Sequence, residues 1–142
     1  MLPLAISCKN EKDIQLQLEK HPLTAWVQLS EDGQITIYNP AAEMGQGSMT
    51  SLPVLFAEEM DADWSKVKVA FSPQDVAIYG TEGWRPGTRI LMSAGSRVTK
   101  SYYEVMRKAG AQARYVLLAS AAKLWNVPMA EISTDQGLSL IH

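Results

Sequence analysis

Ala41-Ala42-Glu43-Met44-Gly45-Gln46-Gly47-Ser48-Met49-Thr50 is the stretch on which the reading of this chain turns. Two glycines bracket one glutamine, with a strand-like run before them and a helix-like run after. Glycine lacks a Cβ, so the backbone can take positive φ and can lie against a ligand. A helix start also presents unpaired N–H groups and the positive end of a dipole, which suits an anion. The stretch therefore reads as an anion-cradling turn with one selective side chain, Gln46. A bare Gly-x-Gly also serves any strand-to-helix turn, and short glycine motifs often match by chance. The neighbouring sequence has to decide.

On the N-terminal side, Thr24 to Leu29 carries strand residues, and Ser30-Glu31-Asp32-Gly33 is a strong turn signal. Gln34 to Tyr38 alternates polar and apolar as the second strand of a hairpin, and Asn39-Pro40 stops it. On the C-terminal side, Leu52, Leu55, Phe56 and Met60 recur at helical spacing. Pro53 fits only the first turn of a helix, so the regular helix is expected from Thr50 or Ser51 rather than directly after Gly47. Asp61 to Trp64 ends it, and Lys66 to Phe71 alternates as a strand.

Residues 72–92 form a long polar stretch rich in Gly and Pro, carrying Tyr79, Trp84 and Arg85. Structureless loops of that length inside a domain are usually functional or disordered. This one reads either as a site rim or interface, or as a surface loop that buries Trp84 against its own domain. From Ser96 to Trp125 one apolar face repeats through Val98, Tyr102, Val105, Ala109, Ala113, Val116, Leu117 and Leu124, the mark of a long core helix. Gly110 marks a close contact or a bend. Asn126-Val127-Pro128 stops the helix, and strand, turn and strand follow to Ile141. Asp61 to Val67 echoes Asn126 to Ile132, as if two β-α units shared one sheet. The fold expected is α+β, a mixed sheet with two main helices packed on it. Residues 1–23 read as a flexible lead-in or the remnant of an export segment, and 24–142 as the domain. The apolar run just before His142 suggests a sheet completed from outside this chain.

Composition narrows the chemistry. The chain has 142 residues, 46% hydrophobic and 20% charged, with a net charge of -2. That is a globular composition with no basic block, so nucleic acid is not the expected partner. No run approaches the roughly 18 apolar residues of a membrane span. One cysteine, Cys8, and two histidines, His21 and His142, cannot build a zinc or iron–sulfur site or support a His-dependent triad. No protein-held metal is therefore assigned.

Met92-Ser93-Ala94-Gly95-Ser96-Arg97 repeats the logic of the first loop at the start of the long helix. It offers hydroxyls, N–H groups and, in Arg97, a permanent charge able to grip a phosphate. Ser is also a routine N-cap. Two such loops converging on one face would bind a large, polar, phosphorylated ligand.

Glu43-Met44-Gly45-Gln46-Gly47, with Leu52-Pro53 and Ala57-Glu58-Glu59-Met60-Asp61-Ala62-Asp63-Trp64 beyond it, resembles the molybdenum-binding subunit of xanthine dehydrogenase/aldehyde oxidase-type hydroxylases. The isoquinoline 1-oxidoreductase β-subunit branch is the most similar. Ser93-Ala94-Gly95-Ser96 and the helix containing Arg107-Lys108-Ala109-Gly110-Ala111 fit the same branch, so the resemblance runs from about Thr24 to the end. It implies that Gly45, Gln46 and Gly47 face a molybdopterin cofactor, in its cytosine dinucleotide form, together with Ser93, Ala94, Gly95, Ser96 and the adjoining Arg97. It also implies a metal held by the cofactor's own dithiolene sulfurs, hydroxylation of aldehydes or N-heterocycles with oxygen from water, and electron transfer to a [2Fe–2S] ferredoxin-like subunit. A full family subunit is several times longer. Its hammerhead domain, its Gly-Gly-Gln-like loop and its Gly-Glu catalytic base have no match here, so the remainder of the molybdenum subunit is an expected partner and activity alone is not expected. The family is periplasmic where a twin-arginine signal precedes it and cytoplasmic otherwise. The competing reading is a non-catalytic α+β interaction module whose glycine loops serve only the fold.

Overall fold

The computed structural model describes residues 25–141. The lead-in, Cys8, His21 and the possible export remnant lie outside the described residues. Strand β1 (Val27–Leu29) pairs antiparallel with β2 (Ile35–Asn39), setting Val27 opposite Ile37 and Leu29 opposite Ile35. The turn expected at Ser30 to Gly33 closes this hairpin. Gly33 supplies the positive φ of 83°, and its N–H donates to Ser30 O at 2.9 Å. β2 then pairs in parallel with β3 (Val67–Phe71), so the sheet is mixed, in the order β1-β2-β3. A parallel pair needs a crossover, and helix α1 (Ser48–Met60) provides it. The Ala41–Gly47 loop therefore sits at the carboxyl end of β2, where the chain turns into α1. Along β2, Ile35, Ile37 and Asn39 are buried in alternation, and this face meets α1.

Helix α1 begins earlier than its proline foretells. It starts at Ser48, Gly47 is its N-cap at φ 79°, and Pro53 lies inside it rather than in the first turn. An interior proline loses one backbone bond and costs about 3 kcal/mol. Two things offset that cost. The Pro53 ring is fully buried beside Leu52 and Phe56, and the first turn is held from outside by a carboxylate described below. Packing and capping thus override propensity.

Helix α3 (Arg97–Trp125) packs across α1 as the main interhelical contact. Tyr102, Met106, Ala109, Gly110 and Ala113 form its buried stripe. Gly110 is the close-contact glycine, with no room for a Cβ against Phe56 O. Arg107 pairs with Glu59 at the edge of this contact, and Arg114 reaches Asp61 at 3.9 Å. The apolar face expected along the whole helix is buried only in part, with the fully buried residues between Tyr102 and Ala113. Val105 is exposed already in the first half, and further on Leu117 is exposed and Leu124 is 69% exposed, although residues 129–135 still touch the helix.

Residues 72–92 are not structureless. They contain a short helix α2 (Val76–Tyr79) and the two-residue strands β4 (Thr81–Glu82) and β5 (Arg89–Ile90). Tyr79, not Trp84, anchors the segment. Its ring meets Trp26 edge-on at 4.9 Å, its hydroxyl donates to Ala25 O, and its carbonyl accepts from the buried Tyr102 hydroxyl at 2.8 Å. Trp84 stands 77% exposed, so burial of Trp84 on its own domain is ruled out. Strands β6 (Ile132–Asp135) and β7 (Leu138–Ile141) form a separate hairpin. The echo between Asp61 to Val67 and Asn126 to Ile132 therefore reflects two similar helix ends, each turning at a residue of positive φ (Asp61, 58°; Asn126, 55°), and not one shared sheet.

Candidate functional site

The first loop is built around a residue inside its own motif. The Glu43 carboxylate accepts at Oε1 from the N–H groups of Gly45 (2.7 Å) and Gly47 (3.1 Å). At Oε2 it accepts from Met49 N–H (2.9 Å) and the Ser48 hydroxyl (3.2 Å). The turn is an anion cradle, as its glycines foretell, but the anion in it is the chain's own. Gly45 and Gly47 hold φ of 92° and 79°, and a Cβ at either would meet nothing. Their role is the left-handed backbone that points the N–H groups inward, not close approach.

These bonds hold the Glu43 carboxyl at about 2, below its ordinary 4.5, with the Met49 N–H first and the Gly47 N–H next among the causes. A carboxylate lowered on folding stabilises the fold above its unfolded value. That contribution is complete above roughly pH 5 and disappears as pH falls through about 2. A carboxyl-carbon NMR titration should place the Glu43 midpoint near 2. A midpoint at the ordinary glutamate value would show that the cradle does not form.

Gln46 is tied into the same loop. Its Nε2 donates to Ala42 O at 2.6 Å and to Ser48 Oγ at 3.1 Å, and its Oε1 accepts from Met44 N–H at 2.6 Å. Both amide hydrogens are spent, which leaves one Oε1 lone pair for anything outside the loop. Asn39, fully buried at the end of β2, anchors the base of the loop. Its Nδ2 donates to Ala41 O at 3.1 Å and contacts Met49 Sδ at 3.1 Å.

The second loop meets the first. Ser93 Oγ accepts from Ala42 N–H at 2.9 Å across fifty-one residues of sequence. A cleft of about 400 Å³ lies between them, lined by Met44, Gln46, Ser48 and Ser51 on one side and by Ser93 to Thr99 on the other. Gly45 and Gly47 are not among the residues that line this cleft. Ser96 is the N-cap of α3 by position, but its side chain makes no capping bond, and it takes φ 56° directly after Gly95 at 61°. Routine serine capping therefore does not account for this loop. The first turn of α3 closes loosely, with Arg97 N–H on Ala94 O at 3.1 Å and Lys100 N–H on Ser96 O at 3.4 Å. First-turn N–H groups are thereby left for an outside acceptor.

Arg97 is engaged differently from the simple phosphate grip. One guanidinium nitrogen donates to Glu82 O, tying β4 to α3, while its Nε is buried without a partner. Arg97 and Gly95 line both this cleft and a neighbouring one of about 300 Å³ that includes Glu82, Lys100 and Ser101. The main cleft is thus lined by five hydroxyls, helix-start N–H groups and one guanidinium, with the Gln46 amide oxygen as an acceptor and no carboxylate. That donor set fits a polar, phosphorylated ligand such as molybdopterin. No group of three or more His, Cys, Asp or Glu able to hold a metal occurs among the described residues. Also among the described residues, no helix is long and apolar enough to cross a membrane.

Sequence reasoning missed Glu43, Ser48, Ser51 and Thr99. The signal for Glu43 was present: an acidic residue two positions ahead of a glycine turn that starts a helix can fold back onto that turn's N–H groups.

Fold and cleft together define a cofactor-binding α+β domain. The family model for the molybdopterin cofactor-binding domain matches residues 5–141, and the chain belongs to that family. It is 44% identical over 116 residues to the isoquinoline 1-oxidoreductase subunit beta of Brevundimonas diminuta, covering 81% of this chain and 14% of that one. It is 34% identical over 101 residues to a membrane-bound aldehyde dehydrogenase (pyrroloquinoline-quinone) of Gluconacetobacter polyoxogenes, covering 71% of this chain and 12% of that one. The chain thus spans a small part of the length of these relatives. The second relative's name carries a different cofactor. The family model spans nearly the whole of this chain, so molybdopterin is the group assigned to this domain.

Proposed function

We propose that this chain supplies one wall of the molybdopterin site in the large subunit of a molybdenum hydroxylase. The protein would oxidise aldehydes or N-heterocycles with oxygen drawn from water. The cofactor is the cytosine dinucleotide form, and electrons leave through a [2Fe–2S] ferredoxin-like partner. Gln46 and Ser93 to Arg97 are the contacts within this chain. The general base belongs to other parts of the longer protein, so this segment is inactive alone. The observation supporting this reading is the single cleft shared by Gln46 and Ser93 to Arg97, with the two loops joined by the bond from Ala42 N–H to Ser93 Oγ.

The test is to co-express the chain with the remainder of the subunit and the iron–sulfur partner, then measure bound molybdenum and pterin. Gln46→Ala should weaken pterin retention about tenfold, the worth of one good hydrogen bond and the loop order that depends on it. Full loading in that variant would remove Gln46 from the site. The interaction-module reading keeps one observation in its favour, the exposed Trp84 and Leu124. Protein that stays free of metal yet holds a stable partner would select it.

A further inference from the structure

We propose that Glu43 is a positioning residue for the Gln46 wall: its carboxylate is the internal anion around which the Gly45–Gly47 turn and the start of α1 are built. The inference takes the identity of the ligand from the proposed function, but its geometry stands independently.

Side-chain packing does little to shape the turn itself. Met44 is 69% exposed, and the space beside Gly45 and Gly47 is open, so side-chain packing does not impose the turn. Its order comes from hydrogen bonds, and the Glu43 carboxylate accepts four of them, two at each oxygen. None of the ion pairs among the described residues involves Glu43. Its charge is balanced by peptide N–H groups and by the positive end of α1.

Glu43 is also coupled to both walls of the cleft. The Ser48 hydroxyl it engages is shared with Gln46 Nε2 and Ala42 O. Ala42 N–H is in turn the donor that holds Ser93. Loss of the carboxylate would free the N–H groups of Gly45, Gly47 and Met49 at once, leave the Ser48 hydroxyl on Ala42 O alone, and so loosen the turn that carries Gln46 and the link to the second loop. A further consequence is that the nest at Gly45, Gly47 and Met49 is closed to an anionic ligand while Glu43 fills it. Gln46 then meets the ligand from a preformed wall.

The experiment uses the full-length protein and reads amide exchange at Gly45, Gly47 and Met49 alongside bound pterin. Glu43→Gln should speed exchange at these amides about tenfold or more, because charge-assisted bonds are replaced by weaker neutral ones. Pterin content should fall with it, and Glu43→Asp should recover part of both. In Glu43→Ala, added acetate should restore protection in a saturable way by entering the vacated nest, while the wild-type protein should not respond. Wild-type exchange in Glu43→Gln would overturn the inference, as would faster exchange in Glu43→Ala that acetate leaves unchanged. Should Glu43→Ala fail to fold, the Gln and Asp variants still decide. Wild-type protein that shows Glu43-dependent protection but never binds pterin would instead overturn the cofactor reading.

Discussion

Gly110→Ala should destabilise the domain by about 2 kcal/mol, although alanine is the better helix former. On an exposed helix surface this exchange would stabilise by up to about 1 kcal/mol. Gly110 is buried in the contact of α3 with α1, and an added Cβ would press on the backbone oxygen and carbonyl carbon of Phe56 and on the Glu59 Cβ. Backbone atoms cannot rotate away as a side-chain tip can. The helices must separate, and that opens the contacts of Met106, Ala109 and Ala113 on either side. Urea unfolding of the variant beside Ala111→Gly, an exposed site one residue on in the same helix, separates the two effects. Ala111→Gly should cost about 1 kcal/mol through propensity alone. A stabilised Gly110→Ala would show that the helices do not approach this closely.

Phe56→Ala should cost more, about 3–5 kcal/mol. Phe56 is fully buried at the centre of α1, in the same core as Ile37, Leu52, Tyr102 and Met106. Its loss leaves a cavity between sheet and helices that rigid neighbours cannot collapse into. The damage should extend to the site. α1 carries Ser48 and Ser51 into the cleft at its N-terminal end, and α3 carries Ser96 to Thr99 at its own. Unfolding midpoints measured on the same protein check the first effect, and pterin retention checks the second. A cost below 1 kcal/mol would place Phe56 outside the core.

The alternation in Gln34 to Tyr38, the Asp32-Gly33 turn and the period of the long helix were legible in sequence because each follows from one local rule. The pairing of Gln46 with Ser93 to Arg97 was legible only as a condition, since each loop opens a helix but the sequence does not show the two helices packing on each other, as they do. Three features were not. The start of α1 at Ser48 depends on Glu43 folding back and on Pro53 finding a buried niche, a tertiary override of propensity. The anchoring of residues 72–92 by Tyr79 rather than Trp84 depends on contacts with Ala25, Trp26 and Tyr102, all distant in sequence. The exposure of Leu117 and Leu124 was not legible either, because they continue the same apolar period as the buried residues and period alone does not say how much surface lies opposite.

The opening motif changes most between sequence and structure. The turn is an anion cradle at a helix start, as its glycines imply, but Glu43 occupies it. What faces the cleft from this loop is Met44 and Gln46, with Ser48 and Ser51 of α1 beside them.

The most direct test is a structure of the full-length protein loaded with molybdopterin. The pterin cofactor should lie in the cleft between the two loops, within hydrogen-bonding distance of Gln46 and of the Ser93 to Ser96 segment, with the Glu43 carboxylate still on the N–H groups of Gly45, Gly47 and Met49. A cofactor seated elsewhere, with neither loop touching it, would contradict the assignment of this cleft.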